Sequence, residues 1–277
     1  MERAPAGLRA LGIVGRLEAA VGAEVVDAGD LEIMPGFRPD PDPRAKNRAQ
    51  IAEFLPREAA LVADALGPDD QLVIVGGDCT AHAGALAGLR RRRPERRLGL
   101  AWFDAHGDFN TPDTTPSGNV WGMPFAMICG RGDADLVGAC DGPTVREPDA
   151  ALLGGQVLDE TESRMLAASG VAHFGAGMLA QPAGLAALAG WARAKAAEVD
   201  GLYVAVDHDV LDGAGGWAIQ MPEPEGLALE TAVAAVRTLA AAIPVVGFGA
   251  TGINLDKGDA ASTLGAVVAL AEAALRR

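Results

Sequence analysis

The chain lacks the features that would tie it to an oxidising compartment, a membrane or a polyanion. Its three cysteines, Cys79, Cys129 and Cys140, are an odd number without framework spacing. That excludes a disulfide scaffold and favours a reducing, cytoplasmic location. Residues 1–15 have no basic start followed by a long apolar run, so no signal peptide is expected, and no apolar stretch is long enough to cross a bilayer. Lys and Arg number 23 against 37 Asp and Glu, a formal charge of −14. Nucleic-acid phosphates would be repelled, so nucleic acid is not an expected partner. The chain has one tyrosine and is rich in Ala, Gly and Arg, which reflects a high-GC genome rather than chemistry.

What remains, 49% apolar and 22% charged residues, can bury a large core. One α/β domain over residues 1–277 is expected. Short apolar runs at 11–14, 72–75, 98–103, 151–153, 171–174, 202–206 and 245–248 read as strands. Helical patterns cover 46–66, 81–90, 122–130, 159–168, 183–198, 229–241 and 261–275, and Pro56 should kink or divide the first of these. Strands alternating with helices call for a parallel sheet covered on both faces. Residues 29–47 form a loop rich in Pro and Asp (Pro35, Pro39, Pro41, Pro43). The basic run at 90–97 reads as a solvated turn, with an anion patch as the alternative.

The chemistry gathers at three strand ends. The run 98–103 leads into Asp104-Ala105-His106-Gly107-Asp108. The run 202–206 leads into Asp207-His208-Asp209, and 72–75 leads into Gly76-Gly77-Asp78-Cys79-Thr80. In open α/β folds the carboxyl edge of the sheet is where sites are built. Two carboxylates and an imidazole fanning around one point suit a borderline-hard divalent cation such as Mn²⁺, Zn²⁺ or Ni²⁺. Taken singly, each set reads equally well as helix-capping or loop-solvating residues. His208 should face away from its two aspartates, since adjacent strand residues alternate. His82 and His173 read as structural.

These motifs, in this order, resemble the arginase/agmatinase (ureohydrolase) family, whose patterns are GGDHS, DAHxD and SxDxDxxDP. The resemblance spans about residues 72–255. It implies a three-layer αβα fold with a parallel sheet of about eight strands and a binuclear manganese site. The implied reaction is hydrolysis of a guanidinium or amidine C–N bond by a metal-bridging hydroxide. It also implies a homo-oligomer, trimer or hexamer. By motif position, Asp104 and Asp207 would bridge two ions. Asp108 and Cys79 would complete one, His106 and Asp209 the other. The loop Asn110-Thr111-Pro112-Asp113-Thr114-Thr115-Pro116-Ser117-Gly118-Asn119 resembles the arginase segment NTPxTTxSGN. Asn110, Thr115, Ser117 and Asn119 would then hold a substrate α-carboxylate. Asp159 would hold the α-amino group, with Glu162 as a second candidate.

The departures from the family pattern bear on substrate and metal. Cys79 stands where the family has histidine, and a thiolate is softer, so Zn²⁺, Ni²⁺ or Co²⁺ compete with Mn²⁺ as the expected ion. The alternative is a packed cysteine beside a site that has lost one metal. Trp121 replaces the proton-shuttling histidine and Gly252 the glutamate that pairs with the guanidinium. A permanently charged head group would lack its counterion. An N-hydroxyguanidine is less basic, so N-hydroxyarginine is the fitting substrate. A cysteine-bearing branch that includes the N-hydroxyarginine hydrolase of cycloserine biosynthesis is similar in DAHGDFNTP and in lacking that histidine. The alternatives are hydrolysis of another guanidino metabolite (agmatine, a guanidino acid, formiminoglutamate) or a catalytically inactive binding protein.

Overall fold

The computed structural model describes residues 1–32 and 40–276; Pro35 and Pro39 of the expected loop lie outside them. Helices α1 (Ala4–Ala10), α2 (Ile13–Val21) and α3 (Arg48–Ala65) precede β1 (Leu72–Val75) and α4 (Thr80–Arg92). Then come β2 (Leu98–Asp104), α5 (Pro124–Ile128), α6 (Ala134–Ala139), β3 (Ala150–Gly154), α7 (Glu160–Ala167) and β4 (Ala172–Gly175). The chain continues through α8 (Ala176–Leu179), α9 (Pro182–Lys195), β5 (Gly201–Asp207), α10 (Leu229–Ala240), β6 (Val245–Thr251) and α11 (Ala260–Leu275).

The sheet is wholly parallel, in the order β1-β6-β5-β2-β3-β4. Two readings of the sequence are corrected. The sheet has six strands among the described residues rather than about eight. The expected strand at 11–14 does not form. Gly12, at φ 84°, sits at the junction of α1 and α2 in the left-handed region. Ile13 and Leu17, four apart, then pack as a helical face against the core. A short apolar run carries both periods, and burial beside α11 settles which one is used. Pro56 lies inside α3 without dividing it.

Side-chain alternation sorts the core into two halves, one on each face of the sheet. Ala101 and Phe103 of β2 and Val204 and Val206 of β5 join α2, α9, α10 and α11. Leu100 and Trp102 of β2 and Tyr203 and Ala205 of β5 join α3, α4, α5 and α6. Each large apolar side chain so buried contributes about 1.5–3 kcal/mol. The three layers are therefore α, β and α, as expected. The same parity places the terminal Asp104 and Asp207 on the α4 face, because each lies two residues beyond a side chain packed there. Phe103 pairs with Val206 across β2 and β5, so the two aspartates end neighbouring strands side by side.

The basic run at 90–97 is more than a solvated turn. Arg97 clasps the fully buried Asp149 through two bonds of 2.8 and 2.7 Å, and Arg93 donates to the backbone oxygen of Asp70 at 2.6 Å. These arginines tie the start of β2 to its neighbours at the sheet edge opposite the strand-end motifs.

Candidate active site

Cys79 is the N-cap residue of α4 and reaches the ends of β2 and β5. Its Sγ lies 2.8 Å from Asp207 Oδ2 and 3.9 Å from Asp104 Oδ2. His106 Nδ1 lies 3.1 Å from Asp209 Oδ2 and 3.4 Å from Asp104 Oδ1. Two clusters that could each hold a metal ion result, Cys79–Asp104–Asp207 and Asp104–His106–Asp209, each with its candidate ligand atoms within 4.8 Å of one another. Asp104 belongs to both. Its Oδ2 also accepts the Trp102 indole N–H at 3.0 Å, which fixes the carboxylate plane. Asp108 is buried and lines the same cavity but stands outside both close clusters. It adopts φ 47°, in the left-handed region, where the chain turns back after His106 and Gly107.

The clusters form the floor of a cavity of about 290 Å³. Asp78, Asp159 and Glu162 add to the acids that line it, and no Lys or Arg side chain does among the described residues. Burial, and then the adjoining carboxylates, raise the pKa of Asp207 to about 7 and of Asp209 to about 6. Asp108 is pushed well above the ordinary carboxylate range for the same reasons, burial first and Asp104 next. Burial also raises the Cys79 thiol, helped by the charges of Asp207, Asp108 and Asp104. Burial alone would lower the pKa of His106, but bonds to Asp104 and Asp209 outweigh it and raise it to about 12. Buried like charges this close are costly unless a cation joins them. The donor set of carboxylates, imidazole and sulfur fits two divalent cations, with Asp104 positioned to touch both.

The loop after β2 is held from behind by α7. Asp159 caps that helix by accepting the Glu162 N–H at 2.8 Å. Glu162 Oε1 accepts the Phe109 N–H at 2.9 Å, and a Cβ on Gly107 would meet its carboxyl at 2.5 Å. Asn110 is engaged at both ends. Its Nδ2 donates to Asp159 Oδ2 at 2.8 Å and Glu162 Oε1 at 3.3 Å, and its Oδ1 accepts from Thr114 Oγ1 at 2.9 Å. Asn110 and Glu162 thus brace the loop on which the candidate metal ligands sit. Thr115, Ser117 and Asn119 stand further out along the cavity wall, where Lys46 Nζ donates to Asn119 Oδ1 at 3.0 Å. Trp121, Val157 and Met221, each about two-fifths exposed (38%, 37% and 43%), give the cavity an apolar rim.

All twelve site residues singled out in the sequence, including Asp209 and Asp159, line this one cavity. His82, His173 and His208 do not line the cavity. His173 Nε2 lies 3.2 Å from the Gly154 carbonyl. His208 is fully buried with neither ring nitrogen bonded, and burial lowers its pKa to about 4. Glu223 was missed. Its Oε1 lies 3.5 Å from His106 Nε2, and it follows Pro222 in a loop with no periodic signal.

Residues 2–275 match the profile of the Arginase family. The arginase of Bacillus caldovelox is 33% identical over 175 residues, 62% of this chain and 57% of that one. The arginase of Brevibacillus brevis is 29% identical over 215 residues, 76% of this chain and 70% of that protein. In solved structures, the Bacillus caldovelox arginase superposes with a TM-score of 0.88 at 28% identity, covering 99% of this chain and 91% of that one. The proclavaminate amidino hydrolase of Streptomyces clavuligerus shares the fold, with a TM-score of 0.68 at 20% identity over 90% of this chain and 73% of that one. The two strand-end clusters sharing Asp104 and the match along nearly the whole sequence lead to one conclusion: the chain belongs to the arginase (ureohydrolase) family.

Proposed function

We propose that the chain is a metal-dependent amidinohydrolase acting on the guanidino end of an arginine-like amino acid, with N-hydroxyarginine preferred over arginine. The observation that carries this reading is the pair of clusters joined by Asp104 at the floor of an acidic cavity. Cys79, Asp104, Asp108 and Asp207 would hold one divalent cation, and Asp104, Asp207, His106 and Asp209 the other. Such ions supply the Lewis acidity that makes water nucleophilic near neutral pH. Overall, water adds to the guanidino carbon, the bond to the side-chain nitrogen breaks, and a proton passes to the departing amine. N-hydroxyarginine would give ornithine and hydroxyurea.

The chain's own residues act on binding and orientation. Thr115, Ser117 and Asn119 present hydroxyls and an amide on the wall above the metals, suited to a carboxylate. Asp159, on the same wall, suits an ammonium group. Trp121 has no titrating group and cannot shuttle a proton as a histidine would. Gly252 offers no carboxylate to a guanidinium, which favours a less basic head group. Mn²⁺ is the expected ion from the family, and the Cys79 sulfur favours Zn²⁺, Ni²⁺ or Co²⁺. We read the enzyme, from its cysteine usage and its family resemblance, as a cytoplasmic homo-oligomer, trimer or hexamer.

A second reading is favoured by one observation: the Asn110 amide is consumed by Asp159, Glu162 and Thr114. With that carboxylate contact gone, another guanidino metabolite becomes the competitor. The deciding experiment reconstitutes the metal-free protein with Mn²⁺, Zn²⁺, Ni²⁺ or Co²⁺. It then assays arginine, N-hydroxyarginine, agmatine, guanidinobutyrate and formiminoglutamate. Turnover of N-hydroxyarginine above arginine, with agmatine poor, supports the first reading. Agmatine or guanidinobutyrate as best substrate selects the second. Less than one metal per chain with no turnover overturns both and leaves a binding protein.

A further inference from the structure

Behind the cavity floor, on the α4 face of the sheet, a row of buried polar groups runs from the chain's single tyrosine to Cys79. Tyr203 Oη lies 3.1 Å from His82 Nδ1, His82 Nε2 lies 3.0 Å from Thr251 Oγ1, and Thr251 Oγ1 lies 3.2 Å from Cys79 Sγ. The four groups come from β5, the body of α4, the end of β6 and the N-terminus of α4. Gly249 makes room for the meeting, since a Cβ there would lie 2.4 Å from Tyr203 Oη and 2.6 Å from the His82 ring. Tyr203, His82 and Thr251 are all fully buried.

The row has a direction. His82 is the only hydrogen-bond partner of the Tyr203 hydroxyl among the described residues. A buried hydroxyl without an acceptor costs about 1–3 kcal/mol, so Tyr203 donates to Nδ1. His82 is neutral, its pKa lowered to about 3 by burial, so its one ring proton is then on Nε2 and goes to Thr251 Oγ1. The Thr251 hydroxyl, already an acceptor, has two places to donate: Cys79 Sγ at 3.2 Å or the Val206 carbonyl at 3.4 Å. A sulfur anion is the stronger acceptor, because a hydrogen bond to an ionised group is about twice as strong.

We propose that Tyr203, His82 and Thr251 form a one-way chain of hydrogen-bond donors ending on Cys79, in which Thr251 is a positioning residue that holds the sulfur as a thiolate ligand. This rests on the metal reading above. Without a cation the Cys79 thiol donates to Asp207 Oδ2, 2.8 Å away. Cys79 would hold a cation as its thiolate, the thiol proton being released to solvent, and the sulfur would then accept from Thr251.

The test uses Co²⁺ added to the metal-free full chain, with the sulfur-to-cobalt charge-transfer absorption as the readout. The unmodified protein shows this band and Cys79→Ser loses it. Thr251→Val, which keeps the shape and drops the hydroxyl, moves the band to lower energy and weakens Co²⁺ binding about tenfold, as loss of an outer-shell partner typically does. Thr251→Ser restores both. Tyr203→Phe shifts the band the same way by less, because the His82 tautomer is no longer fixed. A band unmoved by Thr251→Val, or by Tyr203→Phe, overturns the directed chain. Stoichiometric Co²⁺ binding without a charge-transfer band in the unmodified protein also overturns it while leaving the metal reading intact. No Co²⁺ binding at all defeats both.

Discussion

Gly252 stands against Asp207. A Cβ at Gly252 would lie 2.0 Å from Asp207 Oδ1, and the residue adopts φ 72°. The glutamate that the arginase pattern places here cannot be restored by a single substitution without displacing a metal-ligand candidate. Gly252→Glu should therefore cost metal affinity at least about tenfold and add about 1–3 kcal/mol of backbone strain. Calorimetric metal titration and thermal unfolding read both. A variant that kept its metal affinity and gained activity on arginine would show that the strand end can rearrange.

Asp104 is the shared member of the two clusters, which predicts unequal losses of metal. Asp104→Asn should weaken both ions. Asp209→Asn should weaken one and leave the ion beside Cys79. Cys79→Ser should do the converse, and Cys79→His should shift preference toward Mn²⁺. Elemental analysis after dialysis gives the stoichiometries. Equal losses in all of them would argue against two separable sites.

The metal-free protein should lose stability as pH rises. Asp207 and Asp209 hold their protons in the folded chain up to about 7 and about 6, burial being the first cause. In the unfolded chain they ionise near pH 4. Between these values the folded state binds more protons, so stability is full at the acid end and declines through about pH 6 to 7. His106, with its pKa raised to about 12, acts in the same direction, its contribution being full only below the ordinary imidazole value. With chelator present, the unfolding midpoint should fall across that window. With Mn²⁺ or Zn²⁺ the trend should reverse, since the cation favours the ionised ligands. A flat profile in chelator would mean the carboxylates are solvated.

Asn110 and Asn119 should separate bracing from binding. Asn110→Ala removes its bonds to the Asp159 and Glu162 carboxyls and the Thr114 hydroxyl, at about 1–3 kcal/mol of stability. Asn119→Ala should leave stability nearly unchanged and raise KM roughly ten- to a hundredfold for substrates bearing a carboxylate, with kcat little affected. Steady-state kinetics beside chemical denaturation distinguish them. A KM effect confined to Asn110 would reverse the two roles.

Much of the molecule follows from local sequence. The apolar runs before Asp104 and Asp207 specify buried parallel strands, and the period of two sets which face each aspartate takes. Asp159 before an acidic turn specifies a helix cap. The strand-end motifs carry the family because their residue types and order match its pattern. Tertiary structure decided the rest. The run at 11–14 could serve either period, and only packing against α11 made it helical. Asn110 reads as a ligand-binding amide until α7 is brought against it and its cap Asp159 and Glu162 take the Nδ2 end, while Thr114 of its own loop takes Oδ1. His82 looks like any core histidine until β5 and β6 set Tyr203 and Thr251 on either side of it. Glu223 has no local signal at all and meets His106 only because its loop returns over the sheet edge. Strand faces and helix caps depend on neighbours within a few residues, whereas these partnerships join groups far apart in the chain, which only the closed fold brings together.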